Sequence, residues 1–205
     1  LTFEGNYTAY GNYIGEDVTS SAENRDKLLS PPHSVLSAFW FYKIYKNVFD
    51  SAEDDDFNTV TALINGGFNG YNDRLDYLKT AIRVLKAEHL NQLLENERFE
   101  FISSSIYNYK IYSFAWGLWH DPNIPTRRGT TKDRDEALRG YERVQTLITE
   151  NPFRTEAQLN RKMYGIKNRD VSNYINERIA ALRAGEGGAR RGDEAGREGG
   201  VRRGN

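Results

Sequence analysis

The chain has no cysteine among its 205 residues. That excludes a disulfide-braced scaffold, a thiolate metal site and a thiol nucleophile. Histidine is almost as scarce. His33, His89 and His120 lie far apart in sequence, which argues against a zinc site built from imidazoles. No apolar run approaches the roughly 18 residues of a membrane-spanning helix, so no membrane span is expected. No secretory signal pattern is seen either. Methionine occurs once, at Met163, and the chain opens Leu1-Thr2-Phe3. Such an opening predicts a cut inside a longer protein. Nothing in the pattern calls for a metal or a cofactor.

What is present is enough to fold. Apolar residues make up 38% and aromatics 13%, which suits one ordinary domain or two small ones and argues against wholesale disorder. The net charge of −1 hides an asymmetry. Residues 1–95 carry 8 basic and 14 acidic side chains, and residues 96–205 carry 20 and 15. The two parts are expected to face different partners, and the acidic first part argues against nucleic acid there.

Residues 1–30 are polar and glycine-containing and read as loop with at most one helical turn. After Pro31-Pro32, residues 34–48 read as a helix. Its apolar residues at Val35, Leu36, Phe39, Trp40, Phe41, Ile44, Tyr45 and Val48 occupy several faces, so deep burial is expected. Leaving about 400 Å² of it wet would forfeit roughly 10 kcal/mol. Marginal folding or self-association follows unless residues 96–183 cover that face. Asp54-Asp55-Asp56 reads as a helix N-terminus capped by Asp56, since consecutive carboxylates converge poorly on a metal. A short helix, Phe57 to Ile64, leads into Asn65-Gly66-Gly67-Phe68-Asn69-Gly70, where the backbone must turn sharply. A long helix then runs from Asn72 to about Glu95.

Residues 99–119 are crowded with aromatics. Tyr107, Tyr109 and Ile111 alternate, as do Phe114, Trp116 and Leu118, so strands or extended segments are expected. These rings could stack on sugars, but a core role is the better expectation. His120-Asp121 reads as a structural loop pair. Asp133 to about Thr149 is an amphipathic helix, and Thr155 to Gln158 has the capping-box pattern of another. Gly165 is expected to end it, with a last helix from Asn168 to Arg183. From Gly185 the chain has eight glycines and five arginines, the composition of a disordered tail over 184–205.

Two stretches carry a family resemblance. Leu1-Thr2-Phe3-Glu4-Gly5-Asn6-Tyr7 resembles the end of the signature of family 19 glycoside hydrolases, the chitinases and related bacteriophage lysozymes. Ile64-Asn65-Gly66-Gly67-Phe68-Asn69-Gly70, followed by Asp73-Arg74, resembles that family's Ile-Asn-Gly-Gly loop and downstream Asp-Arg. Ala38-Phe39-Trp40-Phe41-Tyr42 between them is similar to the aromatic core helix of the phage-type members. The resemblance covers residues 1–95.

It implies a mainly α protein. Residues 1–95 would be the C-terminal half of a lysozyme-like domain, and residues 96–183 a small α or α+β appendage. It implies cleavage of β-1,4 links in peptidoglycan or chitin with inversion. Two glutamates about 6.5–9.5 Å apart would do the chemistry, one protonating the leaving oxygen and one activating water. By position, Thr2 matches a hydroxyl that holds the water, and Asn6 and Asn65 match substrate-binding amides. Arg74 matches an arginine that orients the catalytic acid. The expected site of action is the bacterial cell wall or the extracellular space. Both catalytic glutamates lie upstream of the matched segment in the family. Glu4, Glu16 and Glu23 are no substitutes, so this chain alone is expected to be inactive.

A second class of function comes from residues 155–183. Leu159 to Ile166 and Val171 to Ile175 resemble a helix-turn-helix with its turn at Gly165. Residues 151–183 carry 7 basic and 3 acidic side chains, which suits nucleic-acid phosphates. Against it, Arg161 falls where a small residue normally packs the two helices.

Overall fold

The computed structural model describes residues 1–87 and 99–195, with side chains described as far as residue 184. The chain is mainly helical, as expected, and divides into two compact units, Leu1–Gly66 and Gly67–Asn205. The division falls inside the Asn65–Gly70 loop, not near residue 95, where composition changes. Packing is the reason. Phe68 and Tyr71 are buried, with ring centroids 5.0 and 5.9 Å from that of Trp116.

In the first unit, α1 (Glu4–Ile14) occupies the stretch read as loop. Its main anchor is one buried ring, with Tyr7, Ala9 and Ile14 packed beside it. Tyr10 is buried in a cluster with Val18, Leu28 and Trp40, its ring 5.4 Å from that of Trp40. Gly15, left-handed at φ 74, closes α1 by donating to the Gly11 carbonyl. A shorter helix, α2 (Ala22–Asp26), starts at Ser21, whose hydroxyl accepts from the Asn24 N–H.

Helix α3 (His33–Trp40) continues into a π-helical turn, Phe41–Tyr45. The expected deep burial is not realised. In α3 only Ser37 and Trp40 are buried, while Val35, Leu36, Phe39 and Ile44 are each more than half exposed. Apolar residues on several faces demand neighbours on several faces, and the cluster around Tyr10 covers one. After α4 (Phe49–Glu53), α5 (Phe57–Asn65) is capped as expected. The Asp56 carboxylate accepts from the Thr59 N–H at 3.0 Å and its hydroxyl at 2.6 Å.

The second unit begins with α6 (Tyr71–Leu85). The expected extension of this helix toward Glu95, and His89 with it, lies outside the described residues. The strands expected in 99–119 are not formed. Short 3-10 turns at Phe101–Ser103 and Ser105–Asn108 lead into α7 (Lys110–His120). The alternation misleads because every residue of α7 from Ser113 to His120 is buried. A helix apolar on all sides contains runs that also alternate by two.

Helix α8 (Arg134–Glu150), capped by Asp133, packs on α7 through two glycines. A Cβ on Gly140 would stand 2.4 Å from the Gly117 nitrogen, and one on Gly117 would meet the Tyr141 ring at 2.6 Å. Only bare backbones allow so close a crossing. Helix α9 (Glu156–Asn160) carries the full capping box of Thr155 and Gln158. A two-strand antiparallel hairpin follows, β1 (Lys162–Met163) paired with β2 (Ile166–Lys167). Helix α10 (Asn168–Ala195) adds Val171, Ile175, Ile179 and Leu182 to the core.

Helix α10 runs beyond Arg183, where a disordered tail is expected. Alanines, arginines and glutamates between the glycines are good helix formers. Residues 196–205 lie outside the described residues.

Among the described residues no helix is long and apolar enough to cross a membrane.

Candidate functional site

Each residue expected to act in a hydrolase site has a definite local setting. Thr2 is exposed and precedes α1, and Asn6 lies in its first turns. The Asn6 amide donates to the Thr2 carbonyl at 2.6 Å, so these two are held together within one turn of chain. Asn65 is the last residue of α5 and is exposed. Gly66, at φ 64, donates its N–H to the Ala62 carbonyl and ends the helix at that amide. All three belong to the first unit. Arg74 is half-buried on α6, in the second.

The glycine-rich loop owes its shape to the aromatic helix. The Trp119 indole N–H donates to Asn69 Oδ1 at 3.1 Å, and the Gly129 carbonyl accepts from the Asn72 N–H at 2.8 Å. A Cβ on Gly129 would lie 2.1 Å from the Gly70 nitrogen, so the 127–131 loop can rest there only as glycine. Lys132 stiffens that loop by donating to the carbonyls of Trp119, Ile124 and Arg127, at 2.7 to 2.9 Å. Burial holds its ammonium below the usual lysine range.

The helix-turn-helix expected over 155–183 is corrected. Five-residue α9 gives way to the hairpin, and Gly165, at φ 98, sits in the hairpin turn, not between two helices. The buried Met163 and Asn168 tie the hairpin down, while Arg161, Lys162, Lys167 and Arg169 are exposed. Arg169 is engaged by Glu156 at 3.0 Å and Asn160 at 2.7 Å.

One concavity of the second unit was not singled out from sequence. It is a cavity of about 370 Å³ among α6, α7 and α8, within the second unit. Tyr71, Asn72 and Leu75 come from α6, Trp116 and His120 from α7, and Glu136 and Arg139 from α8. Glu136 is nearly buried. Its two oxygens accept from the Trp116 indole N–H at 3.0 Å and from Arg139 at 2.8 Å.

His120 lies tilted against Trp116, centroids 4.2 Å apart and planes 33° apart, and hydrogen-bonds the Trp116 carbonyl through Nδ1. Burial pushes its pKa down to about 4, against a smaller upward pull from that carbonyl and from Asp133, so the ring is neutral at pH 7. Burial, then the charge of Glu136, raises the Tyr71 hydroxyl above the usual tyrosine range. No sequence signal marked this group, because its members are spread over residues 71–139 and joined only by the fold.

His120-Asp121 does split as a structural pair would at Asp121. That carboxylate is fully buried, held bidentately by Arg178 at 2.8 Å and by the Tyr141 hydroxyl at 2.9 Å. Phe114, Trp116 and Trp119 are core, as expected. Among the described residues no group of three or more acidic or imidazole side chains could hold a metal ion. Compared with protein-family models, curated proteins and solved structures, the chain matches none.

Proposed function

We propose that the chain is part of a glycoside hydrolase cleaving β-1,4-linked N-acetylhexosamine polymers, peptidoglycan or chitin, by inverting acid/base hydrolysis. The observation that supports this most is the pair of amides offered by the first unit. Asn65 is exposed where α5 stops at Gly66, and Asn6 is fixed beside Thr2 by its own hydrogen bond. Both stand within the residues that resemble the family's segments. In this reading the amides hold the N-acetyl sugar and the Thr2 hydroxyl holds the attacking water, donating and accepting at once. Arg74 orients the acid. No residue of this sequence matches the two proton-transfer glutamates, so they come from elsewhere, and the chain alone is inactive.

Reducing-end release from glycol chitin and peptidoglycan tests this. The 205-residue chain should show no turnover. A longer form carrying upstream glutamates should turn over, and Asn65→Ala should lower its kcat/KM by about 10²-fold, the scale of a lost transition-state contact. Turnover by the short chain, or a longer form indifferent to both Asn65→Ala and Arg74→Ala, overturns the reading.

A second reading, nucleic-acid contact through 155–183, is favoured by the exposed Arg161, Lys162 and Lys167 on the hairpin. It requires duplex affinity that falls steeply with salt, by about 0.9 in log K per log salt for each phosphate contacted. Lys162→Ala with Lys167→Ala should then flatten the slope. Salt-independent or absent binding sinks it.

A further inference from the structure

The first unit leaves an apolar groove open between α1 and the helical run of α3 and its π-turn. The buried Tyr10 and Trp40 form its floor, and Tyr13, Leu36, Phe39 and Ile44 stand around a hollow of about 380 Å³. Val35 and Tyr42 lie four residues before and three after Phe39, so they flank it on the same helical face. Apart from the floor, these side chains are each 38–60% exposed. Six large apolar side chains in that state present roughly 650 Å² of surface. That exceeds the roughly 300–600 Å² of the largest apolar patch on a typical monomer.

The two ends of the groove differ in charge. At the start of α3, Glu16 lies 3.7 Å from His33. At the other end, about 15 Å along the helix, Lys43 is part of the groove wall, and Lys46 follows it. The Lys43 ammonium sits 5.4 Å from the Phe49 ring centroid, and that of Lys46 sits 5.5 and 5.7 Å from those of Phe41 and Tyr45. Neither lysine is in an ion pair with a described residue. A surface that is apolar in the middle, acidic at one end and basic at the other complements itself. A two-fold axis through its centre sets the acidic end of each copy against the basic end of the other. Two such faces together bury roughly 1,300 Å², within the range of about 1,200–2,000 Å² for specific interfaces. An anionic lipid surface suits the groove less well, because Leu1–Gly66 carries 4 basic and 10 acidic side chains.

We propose that this groove is closed by the same groove of a second copy of the chain, in an antiparallel two-fold dimer that pairs Glu16 of each copy with Lys43 of the other. The inference goes beyond the hydrolase reading and does not depend on it. It uses the first unit alone, and the dimer can form with hydrolysis absent.

The test is sedimentation equilibrium of the 205-residue protein over micromolar to sub-millimolar concentrations. A monomer–dimer equilibrium is expected, with no larger species, because a two-fold contact is closed. Phe39→Arg should weaken the dimer at least tenfold with an unchanged melting temperature. Should Phe39→Arg fail to fold, the exposed charges decide. Glu16→Lys and Lys43→Glu each place like charges together twice across the axis, and each should weaken the dimer about tenfold. Mixing these two variants should restore the wild-type affinity, since both cross-axis pairs are then opposite in sign. A protein that stays monomeric throughout overturns the proposal, as does a mixture that recovers nothing. Sedimentation with phosphatidylserine vesicles by a protein that is monomeric without them overturns it in favour of a lipid surface.

Discussion

Most aromatic side chains of Gly67–Asn205 are buried or half-buried, with Tyr77 and Tyr109 the exposed ones, whereas in Leu1–Gly66 Phe3, Tyr13, Phe39, Tyr42 and Tyr45 are all exposed. In the second unit Phe101 stacks on Trp116 at 4.7 Å, and Phe68 and Tyr71 meet the same indole edge-on. In the first unit Phe3 and Phe39 are 83% and 60% exposed, and the buried cluster closes around Tyr10, Val18, Leu28 and Trp40. Both regions have the apolar residues for a core. Two glycines at a helix crossing let α7 sink completely among its neighbours, whereas α3 has neighbours for one face only. Burial is thus a property of how many elements converge on a helix, and composition alone does not report it.

That contrast can be broken hardest at the buried ion pair. Arg178→Met leaves the fully buried Asp121 carboxylate without its guanidinium, which should cost about 3–5 kcal/mol. Urea unfolding followed by tryptophan fluorescence should show the loss. An unchanged midpoint would mean that the pair does not brace the second unit. Asp121→Asn with Arg178→Met should recover part of the loss, because the uncompensated charge goes with it.

Acid should act next. His120 has a folded pKa of about 4, against an ordinary value of 6.5. Between these values the unfolded chain binds the extra proton, so stability is full above about pH 6.5 and declines as pH falls toward 4. The loss reaches about 3 kcal/mol at most. Tyr71, Asp133, Glu136 and Arg139 line the same cavity as the ring, and Lys132 acts on it electrostatically. His120→Gln should flatten the pH dependence of second-unit unfolding over that window. An equally steep profile in the variant would assign it to another group.

A smaller effect belongs to the first unit. Asp56→Ala removes the cap of α5 and should cost about 1 kcal/mol, visible as faster amide exchange in Phe57–Asn65 with no change in the second unit. The smallest change in stability is expected from Phe39→Ser with Ile44→Ser. Both side chains are mostly exposed, so stability should move by no more than about 0.5 kcal/mol. Binding of a hydrophobic dye, and any self-association seen in sedimentation, should fall sharply. Unchanged dye binding would show that this face is not the apolar surface that matters.

Several elements were legible before any coordinates. The Asp56 cap, the helix start at Asp133, the Thr155–Gln158 capping box and the turn at Gly66 are local chemistry, decided within four residues of sequence. α1 is not legible in the sequence because Tyr10, with Tyr7, Ala9 and Ile14 beside it, holds a helix with little amphipathic pattern. The strands expected in 99–119 are a helix instead, because period-two alternation also occurs in a helix buried all round. The His120–Glu136 cavity left no trace in the sequence, since its residues acquire meaning only when α6, α7 and α8 come together.

The chain by itself determined helical class, the caps that start its helices, and the absence of thiol chemistry, because each depends on residue identity or on neighbours along the chain. Tertiary structure alone decided which aromatic faces are dry, where the two units divide, and that a neutral imidazole lines a cavity. Periodicity records which side chains would leave water. What lies there to receive them depends on long-range packing.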